Sequence, residues 1–107
     1  MFANFIRCTH NGTGGASTLT LAAISGYPLP TDVLGTSGTR LVDYVINEYT
    51  DSTKVTLAKA EAGRGSLALS TGVLTRSVPT STWDGTTYNA TSATALSFGN
   101  TAANIDI

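Results

Sequence analysis

Apolar and polar residues alternate with a period of two along much of the chain, which is the pattern of β-strands with one buried face. The clearest segment is TRLVDYVINEYT at 39–50, where Val42, Tyr44 and Ile46 share one face. The opposite face mixes apolar and polar side chains: Leu41, Asp43, Val45, Asn47 and Tyr49. Because both faces carry apolar groups, we predict a central strand that is covered on one side and touches a partner on the other.

Further strands are predicted between turn signals that recur about every 8 to 15 residues. These strands cover residues 2–9, 18–24, 94–99 and 104–107. NGTGGAS at 11–17 is predicted to be a turn in which Asn11 and Gly12 take the positive φ pair of a tight hairpin. Asp51 and Ser52 mark a second turn, after which the alternation continues.

Three segments give weaker patterns. GYPLPTDVLGTSG at 26–38 is predicted to be a loop with extended character, because each proline disfavours the helical region for the residue before it. LAKAEA at 57–62 could form a helical turn on propensity alone, but it has only six residues before Gly63, so we favour a strand followed by a turn. SLALSTGVLTRSVPT at 66–80 is predicted to form two short strands broken at Thr71-Gly72, with Pro79 ending the second or placing it at an edge.

Composition supports this assignment. Charged residues make up 12% of the 107, about half the usual share, and there are 19 threonines. Threonine suits strands, whereas long solvated helices would need exposed Glu, Lys and Arg. The chain is therefore predicted to be one all-β domain, residues 1–107, forming a small antiparallel sandwich or a barrel-like structure.

Charge and hydropathy exclude several classes of protein. The net charge is −1 and the six basic residues are spread along the chain, so no nucleic-acid partner is expected. No apolar run approaches the roughly 18 to 20 residues that span a bilayer, so no membrane association is expected. The beginning of the chain lacks a basic start followed by an apolar run, so no secretory signal is predicted. The single cysteine, Cys8, excludes an internal disulfide and a multi-cysteine zinc site.

The sequence offers few residues that could form a catalytic site. His10 is the only histidine, and it lies two residues from Cys8, so a strand would place both on one face. No group to orient such a pair can be named, and a metal site would need at least two further ligands from seven scattered carboxylates. The glycines at 11–17 lack the spacing of a phosphate-binding loop. We therefore predict no catalytic residue, no metal and no cofactor, and a protein that is not an enzyme.

TWDGTTY at 82–88 holds the only tryptophan. Asp84-Gly85 is a strong turn signal, so Trp83 is expected at a strand end, half exposed or folded over the core. An alternative is that Trp83 and Tyr88 contact a protein or a glycan, since exposed aromatic side chains are favoured anchors in both cases. Arg76 is expected to lie on a strand and to pair with a carboxylate or with carbonyl groups of a neighbouring subunit.

The order of segments between residues 7 and 101 resembles a family of small phage virion proteins, which occur alone or as the N-terminal module of longer tail fibre and tailspike proteins. The segments that carry the resemblance are RCTHNGTGGASTLTLAAISGY, YVINEYTD, GSLALSTGVLTRSVPTST and ALSFGNTA. Leu74, Thr75 and Arg76 look like the Leu-x-Arg element of the family. The following Ser77-Val78-Pro79 and the stretch that contains Trp83 and Tyr88 depart from the family pattern.

The resemblance implies a β-fold, a structural role and assembly with other virion proteins, and it transfers no catalytic residue. Few charges and strands with two apolar faces also suit a subunit buried among partners, here expected to be a homotrimer. The expected function is a tail-associated module for fibre or spike attachment, in a virion assembled in the bacterial host cytoplasm. The alternatives are a capsid decoration (cement) protein and a glycan- or receptor-binding module. Candidate interface residues are Arg7, Tyr44, Arg76 and Trp83.

Overall fold

Eight β-strands form most of the described chain in the computed structural model, which describes residues 6–15, 17–76, 78–91 and 93–107. The strands are β1 (Cys8–His10), β2 (Thr18–Ala23), β3 (Thr39–Tyr49), β4 (Leu57–Ala68), β5 (Val73–Thr75), β6 (Pro79–Trp83), β7 (Tyr88–Asn89) and β8 (Ile105–Asp106). A helix of five residues, α1 (Pro30–Leu34), lies between β2 and β3, and a 3₁₀ turn (Ala102–Asn104) precedes β8.

The strands form one antiparallel sheet that nearly closes into a barrel. Six of them follow the order β1-β2-β5-β4-β3-β8, while β6 pairs with β4 and β7 pairs with β6. The two ends of this order meet, because the amide of Cys8 donates to the carbonyl of Ile107 at 3.0 Å and the amide of Ile107 donates back at 2.7 Å. The predicted all-β, barrel-like fold is therefore confirmed.

β4 is the longest strand and organises one wall of the barrel. It pairs with β3 along its length, and its other edge pairs with β5 at 66–68 and with β6 at 60–63. Glycines allow this close approach: a Cβ on Gly63 would lie 2.9 Å from the Cα of Pro79, and one on Gly65 would lie 2.7 Å from the carbonyl oxygen of Thr75. The strand predicted at 57–62 is confirmed, but the turn predicted at Gly63 is wrong, because this glycine lies within the strand.

The core lies on the inner face of the barrel. Its buried apolar side chains come from strands β2 to β5, from β8 and from the segments beside them: Leu19, Tyr44, Ile46, Leu67, Leu69, Leu74, Phe98 and Ile105. The predicted division of β3 into two faces is confirmed, since Tyr44 and Ile46 are buried while Leu41 is 75% and Val45 is 55% exposed.

Two predicted elements differ from the structure near the ends of the barrel. The loop predicted at 26–38 contains α1, which begins at Pro30 with Asp32 accepting a hydrogen bond from the amide of Leu29 at 2.8 Å. Proline is favoured in the first turn of a helix, where its missing N–H leaves no bond unmade. Residues 94–99 form no strand and are irregular, although Phe98 is buried.

The remaining predictions hold in part. Within the strand predicted at 2–9, residues 2–5 lie outside the described chain and only Cys8–His10 form β1. Gly12 has positive φ as predicted, but Asn11 does not. The turn at Thr71-Gly72 is confirmed. Pro79 is the first residue of β6 and does not end a strand. At this position the strand does not need a backbone N–H from the residue.

Candidate functional site

Within the described residues, a dense set of polar contacts surrounds Arg76, which follows directly after β5. Its side chain is fully buried, as is that of Glu61 on β4. The guanidinium Nη1 of Arg76 lies 2.9 Å from both carboxylate oxygens of Glu61. A charge removed from water in this way is stable only if it is paired and hydrogen-bonded.

Backbone groups complete this buried ion pair. Nη2 of Arg76 donates to the carbonyl of Gly15 at 2.7 Å, and the guanidinium lies 5.2 Å from the centre of the Phe98 ring. The carboxylate of Glu61 accepts the amide of Leu96 at 2.8 Å. Among the described residues, only the Nε of Arg76 is a buried side-chain donor without a hydrogen-bond partner. The pair therefore joins β4 and the end of β5 to the β1–β2 loop and to the irregular segment 94–99.

Tyr44 on β3 is the third member of this network. Its hydroxyl donates to a carboxylate oxygen of Glu61 at 2.6 Å. Burial, followed by this hydrogen bond to an anion, raises the pKa of Tyr44 well above its ordinary value. The phenol consequently stays protonated and acts as a donor that fixes the orientation of the carboxylate.

The four candidate interface residues fall into two groups. Arg76 and Tyr44 lie inside the chain, whereas Arg7 is partly exposed and Trp83 is half-buried. The expected pairing of Arg76 with a carboxylate is confirmed, although Arg76 lies after the strand rather than on it. Because its guanidinium is enclosed, Arg76 can contribute to a subunit interface only through the elements that it holds together.

Arg7 belongs to a polar cluster that lies across the β1–β8 seam. Asp106 on β8 accepts hydrogen bonds from Arg7 at 2.7 Å and from Lys54 at 2.6 Å, and the guanidinium of Arg7 stacks on Tyr27 at 5.1 Å. Desolvation tends to raise the pKa of Asp106, but the hydrogen bonds from Arg7 and Lys54 outweigh it and the pKa is lowered. The same contact with Asp106 raises the pKa of Arg7.

Cys8 and His10 share the inner face of β1, as predicted, and both are buried. Burial raises the pKa of the Cys8 thiol to about 11, so the thiol is protonated at neutral pH and is a poor nucleophile. The imidazole of His10 accepts the amide of Gly12 at Nδ1 (3.0 Å) and donates to the carbonyl of Gly99 from Nε2 (2.8 Å). Both ring nitrogens therefore hold backbone segments together.

The β6–β7 hairpin carries the tryptophan. The predicted turn is confirmed, because the carboxylate of Asp84 accepts the amides of Thr86 at 2.9 Å and Thr87 at 2.7 Å. These hydrogen bonds lower the pKa of Asp84. Trp83 ends β6 opposite Tyr88, which is 67% exposed.

A cleft lies beside residues 40–45 of β3. It leads into a cavity of about 680 Å³, lined mainly by apolar side chains with Arg40 and Asp43 also among its lining residues. Leu34 of α1 and Ile6 also line it. Within the described residues, no three His, Cys, Asp or Glu side chains converge to hold a metal ion. No helix in the same part of the chain has the length and apolar character needed to cross a membrane.

Sequence reasoning missed Glu61 and Asp106. Glu61 lies on the same face of β4 as Leu67. If the alternation of buried and exposed residues is extended through Gly63 and Gly65, it places the Glu61 carboxylate in the interior of the barrel. Asp106 gave no local signal, because its partners Arg7 and Lys54 are 99 and 52 residues away in the chain.

Comparisons with protein-family models, with curated proteins and with solved structures give no match to this chain. The resemblance of its segments to phage virion proteins therefore stays a prediction.

Proposed function

We propose that the chain is a non-enzymatic structural subunit of a tailed phage virion, a β module that docks onto other virion proteins and is associated with the tail. The observation that carries this proposal is the outer face of β3, where Leu41 and Val45 are exposed beside the open cleft. Apolar side chains that lie together in solvent form a surface suited to a protein partner.

The interior supports a structural role. The buried ionisable groups Glu61 and Arg76 bind each other and the backbone, and the same is true of the His10 imidazole with its backbone partners. Groups held in this way stabilise one arrangement of loops and strands, and none of them is turned toward the cleft. The phage assignment itself rests on the segment resemblance.

A second candidate function, glycan binding, is favoured by the β6–β7 hairpin. Tyr88 is largely exposed beside the half-buried Trp83, and exposed aromatic rings are common sugar-stacking surfaces. Measurable carbohydrate binding by the isolated protein, lost in Trp83→Ala and retained in Leu41→Ala, would establish this function in place of docking.

Localisation on intact particles tests the main proposal. Heads and tails of the phage that encodes the chain would be separated, and the copy number in each fraction measured by mass spectrometry. A few to a few dozen copies in the tail fraction, in multiples of three, would support a trimeric tail module. Copies on the order of hundreds in the head fraction would instead establish a decoration protein. Absence from both fractions would overturn the virion assignment.

A further inference from the structure

Side chains on the outer face of the β3–β4 ladder are matched in size and charge across the two strands. In three successive rows a residue of β3 lies directly opposite a residue of β4, and these rows are Leu41–Ser66, Asp43–Arg64 and Val45–Ala62. They lie on the outer face because Tyr44, which alternates with them along β3, is buried inside the barrel. The two apolar rows therefore have a large residue on β3 and a small residue on β4.

The row between them is an exposed ion pair. The Nε of Arg64 donates to the carboxylate of Asp43 at 3.0 Å, and the two side chains are 66% and 78% exposed. Leu41 and Val45, on either side of Asp43 along β3, are exposed as well, whereas the small residues opposite them on β4 are half-buried. The face thus presents apolar side chains over β3, a lower surface over β4, and both signs of charge between them.

A two-fold axis makes such a face complementary to itself. If the axis runs along the ladder, midway between the two strands and just outside the barrel, β3 of one copy lies over β4 of the other. Val45 then lies over Ala62 of the second copy, and Asp43 lies over Arg64 of the second copy. Each contact occurs twice, as in any two-fold interface. Large side chains that face small ones allow the two packed sheets to interdigitate.

The match tolerates the angle at which sheets usually pack. Packed sheets cross at up to about 30°, which displaces side chains in proportion to their distance from the crossing point. If the sheets cross between the Asp43 and Val45 rows, each row lies about 3.4 Å from that point and shifts by about 2 Å or less. These two rows therefore keep their partners in the second copy.

The charges indicate which partner fits this face. In the two-fold contact, two carboxylates and two guanidinium groups alternate around a square, so each charge has an opposite neighbour in its own chain and another in the second copy. A partner with charge of one sign over this row would repel either Asp43 or Arg64. A second copy presents both signs in the required order, because it carries the same ion pair.

The size of the contact indicates a weak interaction. Two strands about 4.8 Å apart, followed from Leu41 to Asn47, present a surface of about 10 × 20 Å. A stable interface buries roughly 800 Å² per partner, so the chain should be monomeric when dilute. Subunits held side by side on a particle reach effective concentrations on the order of millimolar, at which such a contact forms.

We propose that the outer face of the β3–β4 ladder is a two-fold contact between copies of this chain, with Asp43 and Val45 of each copy over Arg64 and Ala62 of the other. The inference rests on the proposed function, in which this face is the docking surface, and it names a second copy of the chain as the partner. A two-fold contact can coexist with the expected trimer, since dihedral assemblies combine two-fold and three-fold axes.

Charge substitution followed by mixing tests the contact. Sedimentation velocity of the full-length protein at low salt is measured from about 10 μM to about 1 mM, the range in which weak association becomes visible. We expect the wild type to form dimers. Asp43→Arg and Arg64→Asp should each weaken dimerisation by about tenfold or more, because each variant brings four like charges together.

The two variants should bind each other when they are mixed in equal amounts. In the mixed dimer every arginine of one copy faces an aspartate of the other, so we expect association at least as strong as that of the wild type. This recovery would also show that both variants are folded. A mixture that stays monomeric would mean that Asp43 does not face Arg64 of a second copy, and it would overturn the two-fold arrangement.

Arg40→Asp is the matched control. It makes the same change of charge as Arg64→Asp, but Arg40 alternates with Leu41 and so lies on the opposite face of β3. Dimerisation should therefore be unchanged in this variant. An equal loss in Arg40→Asp and Arg64→Asp would show a general charge effect and would overturn the inference.

A change of size distinguishes this contact from nonspecific apolar association. Ala62→Leu fills the space that Val45 of the second copy occupies, so we expect dimerisation to weaken by about tenfold. A face that associates only through its exposed apolar area would instead gain affinity from the added leucine. Tighter association of Ala62→Leu would therefore contradict the proposed packing, as would a wild type that stays monomeric at about 1 mM.

The fate of this inference can be separated from that of the proposed function. If the chain is found in tails but the charge variants show no recovery on mixing, the face docks another virion protein and only the two-fold contact fails. If the mixed variants dimerise as expected but the chain is absent from virions, the contact exists and only the virion assignment fails.

Discussion

At the scale of single residues, the main structural feature is an ion pair buried inside a small barrel. Arg76 and Glu61 have no exposed side-chain surface, and together they bind the carbonyl of Gly15, the amide of Leu96 and the hydroxyl of Tyr44. Replacing such a pair with well-packed apolar residues is often neutral, whereas removing one partner leaves an uncompensated charge. The network is therefore better understood as a way to fix loop positions than as a source of stability.

Removing only the arginine should consequently be severe. Arg76→Met keeps the length of the side chain but leaves the Glu61 carboxylate buried without a cation, and we expect a loss of about 3–5 kcal/mol in the free energy of unfolding. Urea denaturation followed by Trp83 fluorescence measures this loss. The matched control is Arg64→Met, which breaks an exposed pair with Asp43 and should leave the free energy of unfolding close to that of the wild type.

A double variant separates the charge from the packing. Adding Glu61→Gln to Arg76→Met removes the unpaired carboxylate. The amide oxygen of the glutamine can accept from the amide of Leu96, and its NH2 group can donate to the hydroxyl of Tyr44. The double variant should therefore be more stable than Arg76→Met alone. If it is less stable, the loss comes from packing, and the account of an uncompensated charge is wrong.

At the scale of elements, the strands that sequence predicts well are those with a regular period of two. β3 and β2 fall where alternation places them, and the Asp84 turn forms as its residues indicate. The segment 94–99 was predicted as a strand because its composition is β-like, but its amides bind side chains: Leu96 binds Glu61 and Gly99 binds Glu48. Partners that distant in sequence leave no local pattern, which is why the segment and most of the buried site escaped prediction.

The glycines of β4 show why a segment whose local sequence predicts a turn can instead form a strand. Glycine has a low strand propensity, yet β4 continues through Gly63 and Gly65, where β6 and β5 pack against its backbone and the β4–β6 register shifts at Gly63. The neighbouring strands therefore require a residue without a side chain at these positions. A turn rule applied to one segment of sequence does not take the neighbouring strands into account.

Gly65→Ala tests this requirement. Replacing glycine by alanine in a strand normally gains about 0.5–1 kcal/mol, but here the new methyl group would lie 2.7 Å from the carbonyl oxygen of Thr75 and 2.9 Å from Leu74. Overpacking of this kind costs about 1–3 kcal/mol, so we expect a net loss of stability in thermal or urea denaturation. Ser66→Ala, at the next position of β4, is the control and should change stability by no more than about 0.5 kcal/mol. A Gly65→Ala protein as stable as the wild type would mean that β5 can move away from β4 at little cost.

At the scale of the whole molecule, closure of the barrel depends on a short seam. The two backbone hydrogen bonds between Cys8 and Ile107 join β1 to β8, and Asp106 adds side-chain contacts with Arg7 and Lys54. β8 is joined to β3 by a ladder of only two residue pairs, whereas β3 and β4 form the longest ladder of the sheet. The short contacts of β8 with β1 and β3 are therefore where the barrel should open most easily.

Asp106→Asn tests how far charge contributes to closure. The amide preserves the shape but removes the anion that Arg7 and Lys54 bind, so we expect a loss of about 1–2 kcal/mol in the free energy of unfolding at pH 7. Because the pKa of Asp106 is lowered in the folded state, its contribution is present above the unfolded pKa near 3.8 and is lost as the pH falls through the folded value. The difference between the wild type and Asp106→Asn should therefore shrink below about pH 4 and also in high salt. Asp43→Asn, which alters only an exposed pair, should show neither the loss nor the acid dependence. A difference between the wild type and Asp106→Asn that persists unchanged at acid pH would mean that hydrogen bonding alone, and not the charge of Asp106, holds the seam closed.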